Sequence, residues 1–103
     1  MSRLQQLIKF VEEEPNDPFN IYALALEYQK IDSKKALTFF ELLTEEHPDY
    51  VATYYHLGKL HEELGNRESA MKVLEAGIVK ARACGDNKAL RELQNALGEI
   101  QFG

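Results

Sequence analysis

The segment YYHLGKLH, residues 54–61, is the strongest indication of the fold, because its spacing recurs 33 residues earlier as IYALALEY, residues 21–28. In both segments the first, fourth, fifth and eighth residues fall on one face of an α-helix, because the helix completes one turn about every 3.6 residues. A second pair of segments begins at Ala36 and Ala70, 34 residues apart, and each has a large apolar residue four positions later. The sequence therefore predicts two copies of a helix–turn–helix unit.

Signals for helix starts predict six helices and no strand. Ser2 and Gln5 have the spacing of a capping box, and Asp17 followed by Pro18 is typical of a helix N-terminus. The candidate caps of the other helices are Asp32 or Ser33, Asp49, Asn66 and Asp86. The predicted helices span residues 3–14, 18–31, 34–46, 50–64, 67–83 and 87–101.

Small residues occupy two kinds of position. Gly65 and Gly85 follow predicted helix ends, where glycine adopts the left-handed conformation at the least cost. On the helix faces, small residues recur where two backbones must approach closely, and these are Ala25, Ala36, Gly58, Ala70 and Gly77. We therefore expect closely packed pairs of helices.

Composition and charge limit the function. The chain has 103 residues, 45% of them apolar and 28% charged, which is typical of one globular domain. A net charge of −5 argues against binding to nucleic acid or to an anionic membrane surface. The longest uninterrupted apolar run, Ile21–Leu26, is too short to span a bilayer. The single cysteine, Cys84, cannot form an internal disulfide, so we expect a cytoplasmic protein. We expect it to be free-standing, with a segment of a longer chain as the alternative.

The repeated pattern resembles the tetratricopeptide repeat, a helix–turn–helix unit of about 34 residues. Residues 51–82 match its pattern best, and residues 18–48 match it more loosely and end in the expected proline, Pro48. The matching residues of the better copy are Tyr54, Leu57, Gly58, His61, Ala70 and Leu74. The resemblance implies an all-α, right-handed superhelical α-solenoid of stacked antiparallel helix pairs.

The resemblance covers the whole chain as a single domain, residues 1–103. It comprises an N-terminal packing helix (3–14), repeat 1 (18–48), repeat 2 (51–83) and a C-terminal capping helix (87–101). Two features depart from the family pattern. Arg82 stands where a closing proline would be expected, and Leu97-Gly98 follows Leu57-Gly58 by 40 residues. We therefore expect the fifth helix to be extended to Ala83.

No residues are arranged for catalysis or for a metal ion. His56 and His61 are five residues apart and point in different directions on a helix, so they cannot share a metal. We expect His61 to be a hydrogen-bonded packing residue and Cys84 a structural residue at a helix end. The glutamates that end several helices are typical of solvated faces. The sequence also lacks a phosphate-binding loop, so we expect no enzyme activity and no cofactor.

The first helix of each unit would line a concave surface in stacked helix pairs. The predicted groove residues are Phe19, Tyr22, Leu26, Tyr55, Lys59, Glu62 and Asn95. Helix 18–31 is apolar on almost all sides, so something must cover it. One cover is an apolar or amphipathic peptide. The other is the fold itself, with Phe19 under helix 3–14 and Leu26 under Leu60 or Leu64.

These features predict a non-catalytic scaffold that binds a protein or peptide partner through apolar and aromatic contacts. The alternative is a homodimer in which a second copy covers the same surface. Some members of the family hold acidic peptide tails with Lys and Asn residues, in a site called a carboxylate clamp. Here Tyr22 and Leu26 stand where the first Lys and Asn of such a clamp would be needed. The resemblance therefore implies that this protein has no carboxylate clamp and binds acidic peptides weakly.

Overall fold

The computed structural model describes all 103 residues and contains six α-helices and no strand. The helices are α1 (Arg3–Glu13), α2 (Pro18–Gln29), α3 (Ser33–Glu46), α4 (Ala52–Glu63), α5 (Arg67–Cys84) and α6 (Asn87–Phe102). Every helix end lies within two residues of its prediction, and α5, expected to extend to Ala83, ends at Cys84. The chain forms two compact units, unit 1 (Met1–His47) and unit 2 (Pro48–Gly103).

Four helices begin with the predicted side-chain cap. The Ser2 hydroxyl accepts a hydrogen bond from the Gln5 amide at 3.2 Å, and the Gln5 side chain accepts one from the Ser2 amide at 3.0 Å. Asp17 accepts from the amide of Phe19 at 2.9 Å. Asp32 and Asp86 cap α3 and α6 by accepting from backbone amides at 3.2 and 3.0 Å. These bonds satisfy amides that have no partner within the helix.

The start of α4 differs from the prediction, because Asp49 does not cap it. The helix begins at Ala52, and no side chain bonds its first amides. The Asp49 carboxylate instead lies 3.2 Å from the ammonium group of Lys80 on α5. The Tyr54 hydroxyl donates a hydrogen bond of 2.6 Å to the carbonyl of Pro48, and burial raises the pKa of this tyrosine. Contacts with the body of unit 2 therefore hold this helix start.

Asn66 precedes α5 as predicted, but its side chain makes no capping bond. Its amide lies 3.4 Å from Nδ1 of His61, which is buried. The predicted packing role of His61 is thus confirmed. Gly65 and Gly85 have φ angles of +82° and +72°, as expected for residues that end helices.

In unit 1, α2 packs against both α1 and α3. The connections Glu14–Asp17 and Lys30–Asp32 are short, so neighbouring helices are antiparallel, and α1 and α3 run in the same direction. The rings of Tyr28 and Phe39 stack with centroids 5.6 Å apart. The buried apolar residues of this unit are Leu7, Ile21, Leu24, Ala25, Tyr28, Ala36, Phe40 and Leu43.

In unit 2, α5 packs against α4 and α6, and α4 also contacts α6. Glycine allows the close approach of α4 and α5: a Cβ atom on Gly58 would lie 2.6 Å from Leu74, and one on Gly77 would lie 2.5 Å from Cβ of Tyr54. This confirms the predicted role of Gly58 and Gly77. Gly98 is different, because a Cβ atom there would have no atom within 4 Å. Gly98 therefore resembles Gly58 in the sequence pattern but does not allow a close approach of two helices.

Candidate functional site

The predicted groove residues fall into two sets, one in each unit. In unit 1 they lie on α2, where Phe19, Tyr22 and Leu26 are spaced by three and four residues and therefore share a face. Tyr22 and Leu26 are half-buried, whereas the side chain of Phe19 is 62% exposed. The alternative that places Phe19 under α1 is therefore wrong. An exposed aromatic ring follows directly after the cap of α2.

The second set lies in unit 2, on the contacting helices α4 and α6. Tyr55 and Lys59 are half-buried, whereas Glu62 and Asn95 are exposed. Nζ of Lys59 lies 3.3 Å from Glu62 and 3.8 Å from Glu99 of α6. The structure therefore brings Lys59 and Glu62 together in a polar surface on α4 that an ion pair links to α6, whereas no bond or ion pair joins Asn95 to them.

Lys59 is the basic residue at the centre of this polar surface. The side-chain bond to Glu62 raises its pKa, and Glu99 acts in the same direction, while partial burial opposes them. The ammonium group therefore stays charged but already has two carboxylate partners. An acidic ligand would have to compete with Glu62 and Glu99 for it.

His56, on α4, is a residue that the sequence analysis did not place near this surface. Its ring meets that of Tyr55 edge to face, with centroids 5.5 Å apart. Burial lowers the pKa of His56 below its usual value, and the charge of Glu92 on α6 opposes this effect. Only the packing of α4 against α6 brings His56 near Glu92, so sequence spacing gave no sign of it.

We expect His56 to make unit 2 less stable as the pH falls below about 6.5. Its pKa is lower in the folded state, so the unfolded state binds the proton more tightly and gains population in acid. Urea denaturation at several pH values between about 7.5 and about 5 measures this dependence. The variant His56→Gln should lose stability less steeply with acid than the parent. Equal slopes for the two proteins would contradict the assignment.

The other candidate chemical groups are not gathered into a site. The structure contains no group of three or more His, Cys, Asp or Glu side chains placed to hold a metal ion. Cys84 ends α5 as predicted, but it is exposed, so it is not part of a packed core. None of the helices has the length and apolar character that a membrane span requires.

Comparisons with known proteins agree with this architecture. A family model described as "Tetratricopeptide repeat" matches residues 52–76. A tetratricopeptide repeat domain protein from Salinibacter ruber, whose crystal structure is known, has 47% sequence identity to this chain and a TM-score of 0.81. The match covers 84% of this chain and 98% of that one. No curated protein matches the sequence significantly.

Two more distant structures share the fold. The TPR2B domain of yeast Sti1, solved as a complex with pHsp70, has a TM-score of 0.88 at 16% identity, and the match covers 95% of this chain and 79% of that one. Protein BPP2914 from Bordetella parapertussis has a TM-score of 0.83 at 22% identity, with 98% and 89% covered. Given the Salinibacter relative, the chain belongs to the tetratricopeptide repeat family and has its all-α fold.

Proposed function

We propose that this protein is a non-catalytic scaffold that binds a protein or peptide partner through apolar and aromatic contacts. The observation that carries the proposal is the exposed ring of Phe19, which lies on the same face of α2 as Tyr22 and Leu26. The tetratricopeptide repeat is a protein-interaction fold, and one structural neighbour of this chain was solved as a complex with pHsp70. The polar set on α4 and α6 is a second candidate contact surface.

Phe19 is suited to be the anchor of such a contact. Aromatic residues supply much of the energy of protein interfaces, because they bury a large area with few rotatable bonds. The backbone at Phe19 is already held by the Asp17 cap. When a partner covers the ring, the backbone of this protein at Phe19 would therefore lose little conformational entropy.

Several further properties belong to the proposal. We propose that the protein is not an enzyme and needs no cofactor or metal, that it binds neither nucleic acid nor membranes, and that it works in the cytoplasm. We also propose that residues 1–103 act as one domain. The net charge of −5 supports the absence of binding to nucleic acid and to anionic membranes, and the scattered histidines support the absence of a metal site.

Replacing Phe19 by alanine should weaken partner binding about tenfold or more, because it removes the anchor. Peptides selected from a phage-displayed random library on the parent protein provide the ligands, and calorimetry measures their affinity. The variant Val79→Ala is the matched control, since Val79 is an equally exposed apolar residue, at 65%, on α5. Equal affinities of the parent and Phe19→Ala would contradict a role for this face, as would a library that yields no binder.

Light scattering distinguishes this function from the homodimer alternative. A monomer mass that stays constant over about a tenfold range of protein concentration would agree with a surface that binds a different protein or peptide. A dimer that Tyr22→Glu converts into a monomer would instead show that a second copy covers α2.

A further inference from the structure

The charges of unit 1 are separated along its helices. Residues 1–47 contain five Lys and Arg and nine Asp and Glu, so this unit has a formal charge of −4 out of −5 for the whole chain. Because α1 and α3 are parallel and α2 is antiparallel to them, one end of the unit is formed by the C-termini of α1 and α3 and the N-terminus of α2. We call this the acidic end. Its charged residues are Glu12, Glu13, Glu14, Asp17, Glu45 and Glu46.

The opposite end of unit 1 carries most of its cations. These are Arg3, Lys30, Lys34 and Lys35. The same end has two carboxylates, Glu27 and Asp32, and Arg3 and Lys30 form ion pairs with Glu27, so its formal charge is positive. The remaining cation, Lys9, lies 4.0 Å from Glu13. A set of charges that served only to keep a surface hydrated would not need to be sorted in this way. The sorting produces a directed field at the acidic end.

The glutamates of the acidic end are unfavourable for the stability of the helices that they end. The C-terminus of a helix has a partial negative charge, so glutamates in its last turn are unfavourable. Neither α1 nor α3 has a basic residue in its last turn, and each ends in glutamates. Glu14 and Glu46 are exposed and form no ion pair. Unfavourable local choices of this kind are expected where a surface serves binding.

The exposed ring of Phe19 lies at this same end, in the first turn of α2. The axes of packed helices lie about 8–10 Å apart. The carboxylates of the acidic end are therefore within about one to two Debye lengths of the Phe19 ring at physiological ionic strength. We propose that Phe19 and the acidic end together bind a cationic protein segment that carries an apolar anchor residue. This inference rests on the proposed function and names the chemistry of its partner.

Charge complementarity selects this occupant over the others. An acidic segment would be repelled by six carboxylates, and a two-fold dimer formed through the Phe19 face of two copies would bring two acidic ends together. A segment with Lys or Arg beside an apolar residue meets attraction at the rim and an aromatic contact at Phe19.

The test uses the whole protein and two fluorescein-labelled peptides, one built from leucine and lysine and a twin with glutamate in place of each lysine. Anisotropy titrations should show binding of the lysine peptide and not of the twin. The double variant Glu14→Gln/Glu46→Gln should weaken the lysine peptide roughly three- to tenfold at low salt. The variant Glu68→Gln/Glu75→Gln changes the charge equally in unit 2 and should have less than about a twofold effect. Circular dichroism checks that both variants are folded.

The possible failures are separable. If both peptides bind equally and Phe19→Ala weakens both, the binding function stands and the cationic partner is wrong. If both double variants weaken the lysine peptide equally, only net charge acts and the inference is overturned. If neither peptide binds, the inference also falls, while the library selection with Phe19→Ala still decides the proposed function.

Discussion

Replacing Phe40 by alanine should lower the free energy of unfolding by about 3–5 kcal/mol. Phe40 lies in α3, its side chain has no exposed surface, and it is the largest of the fully buried residues. The change removes the favourable transfer of the ring out of water and leaves a cavity that the surrounding helices can fill only in part. Urea denaturation followed by circular dichroism measures the loss.

Phe102→Ala provides the matched control for this change. The same atoms are removed, but the Phe102 side chain is 89% exposed, so the expected change is within about 0.5 kcal/mol. If Phe40→Ala does not fold, Phe40→Leu should still fold and lose about 1–2 kcal/mol. Similar stabilities of the parent and both Phe40 variants would mean that this position is not part of the core.

Gly77→Ala should cost about 2 kcal/mol, although alanine is ordinarily the better helix former. The new Cβ atom would lie 2.5 Å from Cβ of Tyr54, an atom next to the backbone of α4. Rotation of a side chain cannot relieve this contact, so α4 and α5 would have to move apart.

The same substitution at Gly98 should have the opposite sign. No atom lies within 4 Å of a Cβ atom there, so the variant keeps the gain in helix propensity, about 0.5–1 kcal/mol. Thermal and urea denaturation of the two variants measure the difference. If both changes stabilised the protein, the close approach of α4 and α5 would be contradicted.

Much of the fold could be predicted because local chemistry determines it. The caps at Ser2, Asp17 and Asp86 depend on residues a few positions away, so their spacing alone predicts them. The start of α4 could not be predicted in this way, because Asp49 has a partner, Lys80, that lies 31 residues further along the chain. A tertiary contact overrides a local signal there.

The candidate site was harder to predict than the fold. In a helix as apolar as α2, the pattern does not tell which residue stays uncovered, so only the structure distinguishes Phe19 from the half-buried Leu26. The charge separation in unit 1 was equally hidden. The runs at Glu12–Glu14 and Glu45–Glu46 are visible in the sequence, but they come together only when α1 and α3 are parallel.

The bond from the Tyr54 hydroxyl to the carbonyl of Pro48 links a helix end to the interior of unit 2. Helix ends ordinarily fray independently of the rest of a protein, and their amide hydrogens exchange quickly with solvent. At α4 the first turn has no side-chain cap, and the buried ring of Tyr54 holds the segment that precedes it. Opening of this turn therefore requires the core of unit 2 to loosen, which makes the start of α4 part of the same cooperative unit as α5 and α6.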